Sequence, residues 1–223
     1  GGNAMVRSAY SQGKPALGVG AGNVPAYVEK SCDLKQAIND IVMSKAFDNG
    51  MICASEQGAI IDKEIYNDAI KTFKEYRAYL CNEKEKKMLE KYMFGVDGDP
   101  TVAKLNAVVP GMNPVVLAKN AGFDIPERTS IILAECKEVG VNEPLTREKL
   151  SPVLAVLKAS STEDGLKKAK QFLEFGGLGH SAAIHTKDKE LAEKFGDIVP
   201  AIRVIWNSPS TFGGIGNVYN AFI

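Results

Sequence analysis

Residues 152–186 read "PVLAVLKASSTEDGLKKAKQFLEFGGLGHSAAIHT". The stretch divides into three. Residues 152–159, "PVLAVLKA", form a short, nearly continuous apolar run, the pattern of a strand buried on both faces. Residues 163–175 place Leu166, Ala169, Phe172 and Leu173 at a spacing near 3.6, one apolar face of a helix. Residues 180–186, "HSAAIHT", give a second short strand. Short apolar strands alternating with amphipathic helices imply a parallel sheet covered on both faces.

The same alternation extends outward. Helices are expected over 33–47, capped by Asp33 with Leu34, Ala37, Ile38, Ile41 and Val42 on one face, and over 62–80, with Tyr66, Ala69, Ile70, Phe73 and Leu80. Another is expected over about 187–197, and a charged one over 83–94, "EKEKKMLEKYMF", whose lysines and glutamates read as a solvated face. Further strands are expected at 57–62, "QGAIID", 130–135, "SIILAE", and 201–206, "AIRVIW". The fold class is therefore α/β: an open, mostly parallel twisted sheet with helices on both faces.

The chain has 223 residues, 45% of them hydrophobic, enough for one large core or two small ones. Lys+Arg and Asp+Glu are 27 each, so no surplus charge points to nucleic acid or an anionic membrane. No apolar run approaches the roughly 20 residues of a membrane span, and the N-terminus lacks a signal peptide's apolar core. Cys32, Cys53, Cys81 and Cys136 show no CxxC and no metal spacing, so reduced thiols in a cytoplasmic protein and no metal site are expected. The chain starts on Gly1-Gly2 without methionine and stops at "GNVYNAFI", so a piece of a longer polypeptide is expected.

Two segments stand apart from the core pattern. In "FDNGMICASEQ", 47–57, Cys53 follows a turn pair, Asn49-Gly50, at the mouth of a loop. It reads either as an incidental thiol or as a nucleophile presented to substrate. In "GKPALGVGAGNVP", 13–25, Gly13, Gly18, Gly20 and Gly22 read either as a tight strand-to-loop corner or as a close approach to a ligand. His180 follows a glycine turn in "GGLGH", where an imidazole can move a proton or simply bond to backbone; His185, further along the same strand, reads as structural.

Taken with "GGNAMV" at 1–6, "REKLSPVLAV" at 147–156, "GGLGHSAAIHT" at 176–186 and "NSPSTFGGIGNVYN" at 207–220, these blocks resemble the aldehyde dehydrogenase superfamily. The likeness covers essentially the whole chain. It is closest to the CoA-acylating branch and, within that, to the N-terminal half of bifunctional acetaldehyde/alcohol dehydrogenases. The resemblance implies Cys53 as nucleophile and NAD as hydride acceptor. It makes Gly1 and Gly2 the end of a glycine turn opening a cofactor-domain helix over 3–12, puts Gly20 against the nicotinamide, and has Glu148 bonding a ribose hydroxyl. Hydrolytic relatives carry a water-activating glutamate where this chain has Val19, so the acyl group is expected to pass to coenzyme A; His180, if functional, would move a proton on CoA or on the hemithioacetal. It implies residues 1–20 as the end of a dinucleotide-binding domain, 21–206 as the thiol domain, and 207–223 as a segment crossing back toward the cofactor and oligomerisation region. Most of the cofactor domain is then expected upstream, leaving this piece inactive by itself. The implied partners are an aldehyde, CoA and, in the parent, a homo-oligomer or filament. Succinate semialdehyde in place of acetaldehyde, and a role mainly in assembly, are the alternatives.

Overall fold

A computed structural model describes residues 3–16 and 18–216. Seven strands form one sheet: β1 (Val24–Val28), β2 (Glu56–Asp62), β3 (Ala78–Leu80), β4 (Ile131–Glu135), β5 (Val153–Ala159), β6 (Gly179–His185) and β7 (Ala201–Trp206), in the spatial order β3-β4-β5-β2-β1-β6-β7. Every pairing is parallel, as the run of strand, helix and strand requires.

Side chains alternate across the sheet and build two cores. Tyr27, Ile60, Ala155, Leu157 and Ile184 point to one face, against Leu166, Ala169, Phe172 and Leu173 of α6 (Thr162–Gly176) and against α7 (Lys189–Ile198). Ala26, Val28, Ala59, Ile61, Leu154 and Val156 point to the other, against α2 (Leu34–Ala46) and α3 (Tyr66–Glu75). α2 begins where expected: the Asp33 carboxylate accepts from Gln36 N at 3.1 Å. At the amino end of the chain, α1 runs from Asn3 to Tyr10.

Three parts depart from the sequence pattern. The expected helix over 62–80 is a strand end, a shorter helix and a second strand, because Arg77 takes a left-handed φ of 65° and turns the chain into β3. β1 has all five residues buried, so it carries no period-2 alternation to reveal it. α4 (Glu83–Phe94) is not solvated throughout: Lys86 is buried and pairs with Glu143 at 2.5 Å. A further helix, α5 (Pro114–Ala121), is capped by Asn113 and packs on α4.

Candidate active site

The chain leaves α2 through a turn at Phe47–Gly50 in which Asp48 and Asn49 both sit at φ 49°, ψ 37°, followed by Gly50 at φ 72°. Non-glycine residues in this region cost of order 1–3 kcal/mol each unless their surroundings hold them. Here the surroundings do. Asn49 Nδ2 donates to Gly111 O at 3.1 Å, Met51 N to Asp48 O at 3.1 Å, Ser55 N to Ile52 O at 2.9 Å and Ser55 Oγ to Gly50 O at 3.3 Å. Position 50 accepts only glycine for a second reason: a Cβ there would strike the Ser151 carbonyl. The result is a fixed loop with Cys53 exposed at its end, whereas Cys81 and Cys136 are buried and Cys32 is half-buried. The amides of Cys53 and Ala54 donate to no acceptor among the described residues.

A cleft of about 600 Å³ opens over this loop. Gly20, Ala21, Cys53, Ala54, Glu148 and His180 line it, together with Leu150, Arg203 and, from the short helix α8 (Phe212–Ile215), Gly214 and Ile215. The structure thus brings Gly20, Cys53, Glu148 and His180 into one cavity. Gly1 and Gly2 lie outside the described residues. His185 is elsewhere: it ends β6, is 1% exposed, and burial pushes its imidazole down to about 4.

The strand order explains the convergence. Cys53 precedes β2, Gly20 and Ala21 precede β1, Glu148 precedes β5 and His180 starts β6, and β5, β2, β1 and β6 are consecutive neighbours. The cleft therefore lies at the amino ends of the central strands, the opposite edge from the carboxyl-end crevice that most open α/β sheets use. Contact at this edge is close. A Cβ on Gly22 would collide with the Cys53 carbonyl oxygen and lie 3.2 Å from His180 Cε1. The Gly22 amide donates to Glu148 Oε1 at 2.9 Å, which fixes the carboxylate at the cleft wall. Burial raises the Glu148 carboxyl above its usual range. Burial first, and Arg203 second, hold His180 below the ordinary imidazole value, which favours its neutral form. Its Nδ1 lies 3.2 Å from Ser181 Oγ.

Beneath the loops sits a polar layer that sequence reasoning missed. Lys45 and Lys149 are both fully buried. Lys149 Nζ donates to the carbonyls of Leu145 (2.6 Å), Arg147 (2.9 Å) and Gln57 (2.9 Å), so it clamps the segment that carries Glu148. Lys45 Nζ donates to Gln57 Oε1 at 3.2 Å, tying the end of α2 to β2 on either side of Cys53. Burial pushes Lys45 down to about 7. Glu56, also fully buried, accepts from Ser210 N at 2.9 Å, and Ser44 Oγ accepts from Thr211 N at 3.1 Å. These bonds dock residues 207–216 beside the cleft; residues 217–223 lie outside the described ones. The available signal was charge inside or beside otherwise apolar stretches: Lys149 just ahead of "LSPVLAV" and Arg203 inside "AIRVIW".

A model of the aldehyde dehydrogenase family matches residues 2–88. An aldehyde-alcohol dehydrogenase from Streptococcus pneumoniae is 66% identical across 100% of this chain, which spans 26% of that protein. An acetylating aldehyde dehydrogenase from Geobacillus thermoglucosidasius superposes with a TM-score of 0.90 at 41% identity, covering 98% of this chain and 47% of the other. A propionaldehyde dehydrogenase from Rhodopseudomonas palustris, solved with bound CoA and an acylated cysteine, superposes at 0.85 with 26% identity, over 97% of this chain and 48% of its own. The chain thus spans about a quarter of the aldehyde-alcohol dehydrogenase and about half of the solved relatives. By sequence and by fold the chain belongs to the aldehyde dehydrogenase family, alongside aldehyde-alcohol and acetylating aldehyde dehydrogenases.

Proposed function

We propose that this chain is the thiol-bearing part of an NAD-dependent, CoA-acylating aldehyde dehydrogenase that interconverts acetaldehyde, CoA and NAD with acetyl-CoA and NADH. The observation that carries the reading is Cys53 itself: an exposed thiol on a hydrogen-bonded loop, inside a cleft, beside two amides that donate to no acceptor among the described residues.

In this reading the Cys53 sulfur adds to the aldehyde carbonyl and forms a thiohemiacetal. The developing oxyanion is offered the amides of Cys53 and Ala54, which donate to no acceptor among the described residues; donors fixed in place before reaction need no reorganisation. The cleft suits the nicotinamide end of a dinucleotide. Gly20 and Ala21 leave room for a flat ring, and Glu148, held by Gly22 through one oxygen, offers the other to a ribose hydroxyl. A nicotinamide bound there supplies the hydride acceptor. Gly1 and Gly2, with the helix over Asn3–Tyr10, belong by this reading to residues 1–20 of the cofactor domain; 21–206 form the thiol domain and 207–223 lead out of it.

The product follows from what the Cys53 thioester meets next. Val19 stands where hydrolytic relatives place a carboxylate base, and such a base is typically worth about 10²–10⁴-fold in rate. Without it, water attacks slowly and the thioester awaits a better nucleophile. CoA is a thiol of which only a few per cent, about 3% at pH 7, is ionised near neutral pH. His180, neutral and next to the Cys53 loop, is placed to take the proton of the rest. The relative with bound CoA and an acylated cysteine supports this sequence of events. We read the thiols as reduced and the enzyme as cytoplasmic; among the described residues no helix is long and apolar enough to cross a membrane.

The test runs the transfer backward. Full-length enzyme is incubated with acetyl-CoA and no NADH, then digested and mapped by mass spectrometry. The reading expects acetyl on Cys53 with release of free CoA, and none in Cys53→Ala. Acetyl found only on Cys32, Cys81 or Cys136 would sink it.

A further inference from the structure

The thiol cleft contains a guanidinium, Arg203, with no carboxylate partner among the described residues. Arg203 is half-buried on β7, a strand whose other residues are Ala, Ile, Val, Ile and Trp. Its side chain makes no ion pair with any described residue. Its reach can be located from Gly214: a point one bond beyond the Gly214 Cα lies 2.8 Å from Ala54 Cβ and 3.3 Å from Arg203 Nη1. The cation therefore ends across Gly214 from Ala54, the residue that follows Cys53, and lines the same cleft. The His180 ring, which lines the same cleft and feels the Arg203 charge, abuts the Gly22 position that touches the Cys53 carbonyl. The remaining charged group of the cleft, Glu148, comes from the loop before β5 and is tied to Gly22. A partly desolvated cation without a counter-ion is a cost unless an anion arrives to meet it.

We propose that Arg203 binds the sulfur of the incoming acyl acceptor and holds it as a thiolate; the proposal rests on the acylating reading above. At pH 7 only about 3% of a thiol with a pKa near 8.5 is ionised, so a site that favours the anion raises the reactive fraction directly. The step balances as follows. The acceptor S–H gives its proton to the neutral His180 imidazole, and the sulfur, now anionic, stays against the Arg203 guanidinium. It attacks the thioester carbonyl; the new C–S bond forms, the bond from that carbon to Cys53 Sγ breaks, and the electron pair returns to Sγ. Nothing is oxidised or reduced. Because the Arg203 cation is fixed, it disfavours a second positive charge on His180 beforehand and so keeps the proton acceptor ready.

Neutral and anionic nucleophiles separate this role from a structural one. Acyl-enzyme is prepared in the full-length protein from acetaldehyde and NAD without CoA, then chased with CoA or with hydroxylamine, which attacks as a neutral amine. The expected result for Arg203→Gln is a CoA rate reduced at least tenfold more than the hydroxylamine rate, with Arg203→Lys recovering part of the difference. Equal slowing of both chases would mean a structural role and overturn the proposal. So would an unchanged CoA rate accompanied by a selective loss of aldehydes that carry a carboxylate, which would assign the cation to the aldehyde. A wild-type protein that yields no acyl-enzyme and no NADH burst would overturn the acylating reading and this proposal together; a normal burst followed by equal slowing overturns only the assignment of Arg203.

Discussion

Replacing Gly22 with alanine tests how the sheet edge positions the thiol. The added Cβ would lie 2.1 Å from the Cys53 carbonyl oxygen, while an ordinary contact needs more than about 3 Å, so one loop must retreat by about 1 Å. Neither side yields cheaply: the obstacle is backbone, and the next neighbour is the His180 ring. The bond from residue 22 N to Glu148 survives, so the effect is steric. A displacement of about 1 Å at a reacting group costs on the order of 10²-fold in rate. Overpacking of this kind costs about 1–3 kcal/mol, which for a domain of this size lowers Tm by about 2–12 °C. The assay is the rate of the NADH burst in the full-length enzyme, beside thermal unfolding of this chain followed by circular dichroism. A folded Gly22→Ala protein with a burst within about threefold of wild type would refute the placement of Cys53 against β1.

Other outcomes can be stated in the same terms. Gly196, inside α7, has open space where a Cβ would go, so Gly196→Ala should stabilise the chain by about 0.5–1 kcal/mol; a lower Tm would contradict the packing of that helix. Cys53 should react with limiting iodoacetamide at pH 7 at least about a hundredfold faster than the other thiols, as mapped by mass spectrometry. Burial pushes Cys32 and Cys81 up to about 12 and Cys136 higher still, which leaves almost no thiolate on any of them. Prior labelling of any of the three would contradict this. Burial also raises Glu56 from 4.5 to about 7. Between those values the folded chain holds a proton that the unfolded chain has lost, so this group makes stability fall as pH rises from 4.5 through 7. Glu56→Gln keeps an acceptor for Ser210 N and should flatten that slope in urea titrations; an unchanged slope would show that Glu56 is not its source.

Much of this architecture was legible because it rests on periodicity. β5, α6 and β6 are each one clean pattern, and together they imply the parallel sheet and its two covered faces. What was hidden depends on single backbone angles or on long-range contact. Leu80 continues the helical spacing of Phe73, so β3 merged with α3 in the sequence; only the left-handed Arg77 separates them, and arginine gives no warning of it. β1 was masked by the glycine run before it and by burial on both faces. In the site, Gly20, Cys53, Glu148 and His180 stood in recognisable blocks, and the four line one cleft. Lys45, Lys149 and Gln57 did not stand out, because a lysine satisfied by three carbonyls looks in a sequence like any surface lysine. Arg203 and Gly214 enter the cleft only through the order of strands β2, β1, β6 and β7, which no local pattern records.

The central claim is that the acyl group leaves Cys53 for CoA and not for water. It is tested most directly by following NADH formation from acetaldehyde and NAD in the full-length enzyme, first without and then with CoA. Without CoA the account predicts a burst that stops at one NADH per active site; adding CoA should start steady turnover with acetyl-CoA as the product. Steady formation of free acetate without CoA, at the rate of the CoA-dependent reaction, would contradict it and place the chain with hydrolytic enzymes despite Val19.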